Sequence, residues 1–150
     1  MGAGCAALAA SALCLGATAA PALGAHPLEP DLVTLLFGYN DWEAGLRGPE
    51  YEVVCRDAIR RIRRATGGKA DVLLLTTIPA VARQTTMAEL AEAARRAARE
   101  GNAGLADTEQ AFLKEWQTEP ERLFSVDKVH LSPAGHEVVV RTVLAAIEGG

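Results

Sequence analysis

A chain of 150 residues holds one domain with a real core, and not two. Hydrophobic residues make up 49% and charged residues 23%, a globular balance, while a net charge of −4 and 5% aromatics argue against nucleic-acid binding and base stacking. Cys5, Cys14 and Cys55 are odd in number and lack CxxC spacing, so they read neither as a disulfide framework nor as a zinc site.

Met1 to Ala25 carries no charged residue. It can be a secretory signal, a membrane span or a buried segment. A signal should open on a basic region, and none is present, although Ala20-Pro21-Ala22 is a passable cleavage site. Gly, Pro, Ser and Thr are too frequent for a convincing span, and no basic flank follows. Cytoplasmic and secreted locations both stay open. The stretch 1–27 is therefore kept apart from the regular elements of a single domain over 1–150.

Leu28-Glu29-Pro30-Asp31 signals a turn, and Leu32 to Phe37 is a short apolar run that reads as a strand buried on both faces. It leads into Gly38-Tyr39-Asn40-Asp41-Trp42. Ligands of open α/β sheets bind beyond the carboxyl ends of the strands, which places Asn40 and Asp41 toward a substrate. Trp42, Glu43 and Arg47 either line the mouth of such a site or cover a loop. Pro49 opens a helix whose buried stripe is Tyr51, Val54, Cys55, Ala58, Ile59 and Ile62. Arg56, Arg60, Arg61, Arg63 and Arg64 crowd its second half, as a solvated face near the negative helix end rather than a phosphate site. Gly67-Gly68 stops it.

Asp71 to Thr77 is a second buried strand, closed by Ile78-Pro79. Thr85 or Thr86 is expected to cap the next helix, with Glu89 completing a capping box if Thr86 is the cap. Ala103 to Ala106 is a short third strand, and Asp107 ends it or caps the helix Thr108 to Gln117. The last helix runs from Pro133 to about Ile147 and is expected to bury Val139, Val140, Val143, Leu144 and Ile147. Strands alternating with helices imply a parallel sheet in a three-layer α/β/α sandwich.

Just ahead of that last helix stands Asp127-Lys128-Val129-His130, with Ser132 as N-cap and Pro133 at the first helical position. A carboxylate three residues before an imidazole, on a loop, can accept the Nδ1 proton. That fixes the tautomer and leaves Nε2 as a general base. The other reading is a loop whose Asp and His are merely solvated. His26, His130 and His136 form no ligand cluster by spacing, and no metal or other cofactor is called for.

In two stretches the sequence resembles the SGNH hydrolases, also called the GDSL esterase/lipase family. Phe37-Gly38-Tyr39-Asn40-Asp41 matches the family's G-x-N-D block, and Asp127-x-x-His130 matches its D-x-x-H block; the two lie roughly ninety residues apart, in the family's order. The resemblance covers about Pro30 to the C-terminus. It implies the flavodoxin-like sandwich of that family, His130 as base, Asp127 as its orienting carboxylate, and Asn40 as a side-chain donor to the oxyanion. Gly16-Ala17-Thr18 resembles a third block, which would make the Gly16 N–H a second oxyanion donor. Alternatively, Gly16 only packs.

The nucleophile is not found. The family carries it in a G-D-S motif after the first strand. This sequence has no G-D-S, and its serines are Ser11, Ser125 and Ser132. The resemblance therefore implies an N-terminally truncated fold that lacks the first strand and presents a poorly covered sheet edge. The leading expectation is a carboxyl-ester hydrolase acting on small acyl esters or acetylated carbohydrate. The alternative is an inactive SGNH-like domain that binds a ligand or partner. A flavodoxin-like binding module ranks last, since no Gly-rich phosphate loop follows a strand at the required spacing. Neither nucleic acid nor membrane is expected as a partner, and oligomeric state is open.

Overall fold

The computed structural model describes residues 29–81, 84–117 and 120–149. Strand β1 (Leu32–Leu36) is followed by a short helix α1 (Tyr39–Glu43) and a long helix α2 (Gly48–Ala65). Then come β2 (Asp71–Leu75), α3 (Gln84–Gly101), β3 (Gly104–Ala106), α4 (Thr108–Trp116), a 3-10 turn (Pro120–Leu123) and α5 (Pro133–Glu148). The strands are parallel in the order β1-β2-β3, with Leu35 opposite Leu74 and Leu74 opposite Leu105.

Alternation along β2 divides the core. Val72 and Leu74 point to one layer, where they meet Tyr51, Cys55, Ile59 and Ile62 of α2 and Leu90, Ala94 and Ala97 of α3. Leu73 and Leu75 point to the other, where Val139, Val143 and Ala146 of α5 cover them. A fully buried leucine such as Leu74 contributes roughly 1.5–3 kcal/mol by leaving water. Ala93, Ala94, Ala97 and Ala98 of α3 are all but inaccessible, which lets α2 and α3 approach closely over the sheet. Cys55 is a free, buried core thiol, and burial pushes its pKa up to about 12. The result is the expected α/β/α layering around a parallel sheet.

Two burial expectations fail for one reason. β1 is not covered on both faces: Leu35 is buried against α2 and α3, but Leu32 and Leu36 are 38% and 46% exposed. α5 does not bury its whole apolar surface either: Val139 and Val143 pack on the sheet, whereas Val140, Leu144 and Ile147 are about half exposed. α5 lies over β2 and β3 and leaves β1, one of the two edge strands among the described residues, uncovered on that face. An apolar pattern marks which positions can be buried, and the neighbouring elements decide which of them are.

Helix starts also differ from expectation. α3 begins at Gln84, so Thr85 and Thr86 stand inside its first turn rather than at its cap. Glu89 serves another helix: its Oε2 accepts from the Gly48 N–H at 3.3 Å, at the start of α2. The five-residue helix α1 occupies what the sequence presents as a strand-end loop. Ser132 does cap α5, accepting from the Gly135 N–H at 3.2 Å, and Asp107 caps α4 through the Gln110 N–H at 3.3 Å. The arginine-rich end of α2 is engaged locally. Arg56 meets Glu100 at 2.6 Å, Arg61 meets Asp57 at 2.5 Å, and Arg63 donates to the Gly101 and Asn102 carbonyls at the end of α3.

Candidate active site

At the carboxyl end of β1 the chain must turn at once into α1, and Gly38 makes this possible. Its φ is +144°, and a Cβ there would lie 2.3 Å from the Thr77 methyl carbon. Only glycine fits both the backbone angle and the space. Thr77 closes the turn from β2: its hydroxyl donates to the Phe37 carbonyl at 3.2 Å and lies 3.3 Å from the Tyr51 hydroxyl. Asp41, expected to face a substrate, instead turns inward. It is buried, and its carboxylate accepts the Gly38 N–H at 3.0 Å, three residues back. Asn40, one residue earlier on α1, is exposed. The G-x-N-D block thus divides its work: glycine for the turn, aspartate for the cap, asparagine for the solvent side.

The Asp127–His130 block lies on a hairpin. Phe124 and Leu131 form an antiparallel bridge, the Ser125 N–H donates to the His130 carbonyl at 2.8 Å, and the Lys128 N–H donates to the Ser125 carbonyl at 2.9 Å. Lys128 takes the left-handed conformation, φ +60°, which sharpens the turn. Inside it, Oδ1 of Asp127 accepts from the Val129 N–H and the His130 N–H, both at 2.9 Å, and from the Ser125 hydroxyl at 2.8 Å. Its other oxygen lies 2.6 Å from His130 Nδ1. The Val129 N–H, the His130 ring and N–H, and the Ser125 hydroxyl together hold the Asp127 carboxyl well below the usual carboxylate range. An ionised carboxylate so placed favours the proton on Nδ1 and leaves Nε2 with its lone pair.

The hairpin is tied to the body at both ends. The Val81 N–H, after β2, donates to the Lys128 carbonyl at 3.3 Å, and the Ser132 N–H donates to the Leu123 carbonyl at 3.0 Å. Gly135 in the first turn of α5 lies so close to Leu123 that a Cβ would meet the Leu123 carbonyl oxygen at 2.2 Å. Behind it, Phe112, Trp116 and Phe124 pack ring against ring, with centroids 5.9 and 5.4 Å apart.

Asn40 and His130 border one groove of about 610 Å³ at the carboxyl edge of the sheet. Its walls are mostly apolar, from Leu36, Phe37, Ile78, Ala80, Val129 and Leu131. Hydroxyls among its described lining residues belong to Tyr39 and Thr77, and that of Thr77 is already engaged. His136, which the sequence offers only as a metal ligand to be discounted, also lines the groove. It stands one turn into α5, four residues after the cap. Trp42, Glu43 and Arg47 do not line it. Arg47 lies over the Trp42 ring, 4.9 Å from its centroid, and donates to the Trp42 and Leu46 carbonyls, so this pair covers a loop.

The sequence gives no hint of a second polar cluster beside the groove. Arg95 of α3 forms a fork to Asp107 at 2.9 and 2.8 Å and reaches Glu109 at 2.6 Å. Thr76, just past β2, accepts the Glu109 N–H at 2.8 Å, and its carbonyl accepts the Thr108 hydroxyl. Burial opposes ionisation of Asp107, but the Arg95 guanidinium outweighs it and holds the carboxyl below its ordinary range. This network fixes the end of β2 directly before Thr77. Gly16, Ser11, Thr18, Cys5, Cys14 and His26 lie outside the described residues. Among the described residues, no group of three or more His, Cys, Asp or Glu side chains gathers in a way that could hold a metal ion. No helix of the described residues is long and apolar enough to cross a membrane.

The model of the GDSL-like lipase/acylhydrolase family matches residues 7–138. The chain belongs to that family. Solved structures agree. An acetylxylan esterase from Geobacillus stearothermophilus is 26% identical, with a TM-score of 0.66 over 79% of this chain and 60% of that one. An alpha/beta hydrolase enzyme from the metagenome of Lake Arreo, Spain, is 25% identical with the same TM-score and the same coverage. A lipase/acylhydrolase from Enterococcus faecalis shares the fold at 21% identity and a TM-score of 0.64, over 80% of this chain and 62% of that one. The family member described here thus spans about 60% of the length of the esterase structures it matches. No curated protein matches the sequence.

Proposed function

We propose that the groove is the ester-hydrolysing site of a GDSL-like acylhydrolase, with His130 as proton acceptor, Asp127 as its orienting carboxylate and Asn40 as oxyanion donor. The observation that carries the reading is the convergence of Asn40 and a carboxylate-bound His130 on one groove from opposite ends of the chain. The chemistry fits. Attack on an ester carbonyl places new negative charge on oxygen, which a neutral amide N–H can meet without ionising. The attacking oxygen, of a hydroxyl or a water, must give up its proton, which Nε2 can take while Asp127 stabilises the imidazolium. Gly16 would supply a second donor N–H. Small acyl esters and acetylated carbohydrates are the proposed substrates, supported by the apolar groove walls and by the acetylxylan esterase among the similar structures.

A second reading is favoured by one observation: the described lining of the groove contains no serine. Under it the groove binds an acyl ester without turning it over. Steady turnover of p-nitrophenyl acetate that His130→Ala abolishes would decide for the hydrolase. Binding of the ester without turnover, weakened by Asn40→Ala, would decide for the binding domain. Neither turnover nor binding would refute both.

A further inference from the structure

We propose that Ser125 is a positioning residue of the Asp127–His130 pair, its hydroxyl fixing the rotation of the Asp127 carboxylate so that the other oxygen stays turned to the imidazole. This rests on the reading of His130 as the proton acceptor. Oδ1 of Asp127 already accepts three donors, the Ser125 hydroxyl at 2.8 Å and the Val129 and His130 N–H groups at 2.9 Å. Oδ2 faces Nδ1 of His130 at 2.6 Å. Asp127 is half exposed and the His130 side chain is 82% exposed, so no wall of packed side chains holds the carboxylate plane. Hydrogen bonds must do so. The two backbone donors both lie on the C-terminal side of Asp127; Ser125 is the donor from the N-terminal side, and it opposes rotation of the carboxylate about Cβ–Cγ.

The serine is not aimed at the groove. It does not line it, and its hydroxyl points to a carboxylate rather than to an imidazole nitrogen, which is the wrong geometry for a nucleophile. Its backbone is held separately, by the Ser125 N–H to the His130 carbonyl at 2.8 Å and by the Lys128 N–H to the Ser125 carbonyl at 2.9 Å. Ser125→Ala therefore removes the hydroxyl and leaves the hairpin. Lys128, the nearest cation on the loop, is paired with Glu121 at 3.5 Å and does not substitute for it.

The test is the tautomer of neutral His130 in the intact chain, read from two-bond proton–nitrogen correlations of its ring. In the wild type the Nδ1–H form should dominate. Ser125→Ala should lower the ratio of Nδ1–H to Nε2–H about fivefold, the factor one hydrogen bond commonly supplies, and Ser125→Thr should restore it. An unchanged ratio in Ser125→Ala, with the Ser125 backbone amide still protected, overturns the proposal. So does a fall that Ser125→Thr leaves unrepaired. The reading of His130 as base is tested apart from this, by ester turnover of His130→Ala, so the two can fail independently.

Discussion

The turn that carries Asn40 and the hairpin that carries His130 border the same groove, yet one is anchored in the core through Gly38 and Asp41 and the other stands in solvent. The Asn40 turn is held by exclusion: Gly38 has no room for a Cβ, Asp41 is enclosed over the Gly38 N–H, and Thr77 closes it from β2. The hairpin is held by local hydrogen bonds around one carboxylate and by a left-handed Lys128. The first belongs to the core, and disturbing it should unsettle the whole domain. The second is a local device, and disturbing it should alter chemistry while the domain stays folded.

Gly38→Ala offers the largest effect. It demands an unfavourable φ and drives a methyl into Thr77, and together these should cost roughly 3 kcal/mol or more. Urea denaturation should show the midpoint falling accordingly, and a loss below about 1 kcal/mol would mean that the turn is softer than described. Gly135→Ala comes next, at roughly 2 kcal/mol. Its methyl meets a backbone oxygen of Leu123, which can give way only by shifting α5 against the 3-10 turn. A neutral outcome in the same denaturation series would remove the anchor assigned to the foot of the hairpin.

Much of this contrast could be read in the sequence, for physical reasons. Tyr51, Cys55, Ala58, Ile59 and Ile62 follow the helical period, and Ser132-Pro133 is a local start signal, so both were legible. Asp127 and His130 are three residues apart, and their contact needs only a turn. Contacts across the fold left no such trace. Glu89 caps a helix 41 residues away, and the pairing of Arg95 with Asp107 depends on how α3 lies over the sheet. The exposed flanks of β1 and α5 escaped because periodicity describes one element and burial needs two. Asp41 misled for a related reason: a position beyond a strand end faces the site only if its backbone does not recruit it as a cap.

On the hairpin side, Asp127→Asn should lower the urea midpoint far less than Gly38→Ala while ester turnover falls, on the order of 10³–10⁴-fold if His130 depends on the carboxylate as triad histidines do. A midpoint shift as large as that of Gly38→Ala would erase the distinction between the two regions.

The mildest probe is pH. Asp127 has its folded pKa depressed below the unfolded value of about 3.9, so its contribution is fully present above that value and is lost as pH falls through the lower folded value. The amide resonances of Val129 and His130 should therefore keep their hairpin positions through the ordinary carboxylate range and leave them only below it, as the folded Asp127 carboxyl takes up its proton. Collapse of those resonances above about pH 5 would show that something other than the Asp127 carboxylate holds the loop.

The most direct measurement is a double-mutant cycle on hydrolysis of p-nitrophenyl acetate by the wild type, Asn40→Ala, His130→Ala and the pair. If both residues serve one transition state, Asn40→Ala should lower kcat/KM about 10²–10³-fold and His130→Ala by more. The double variant should be slower than either single variant, because an oxyanion donor still acts when the base is gone. Turnover indifferent to His130→Ala, or to Asn40→Ala, would contradict a single ester-hydrolysing site in this groove.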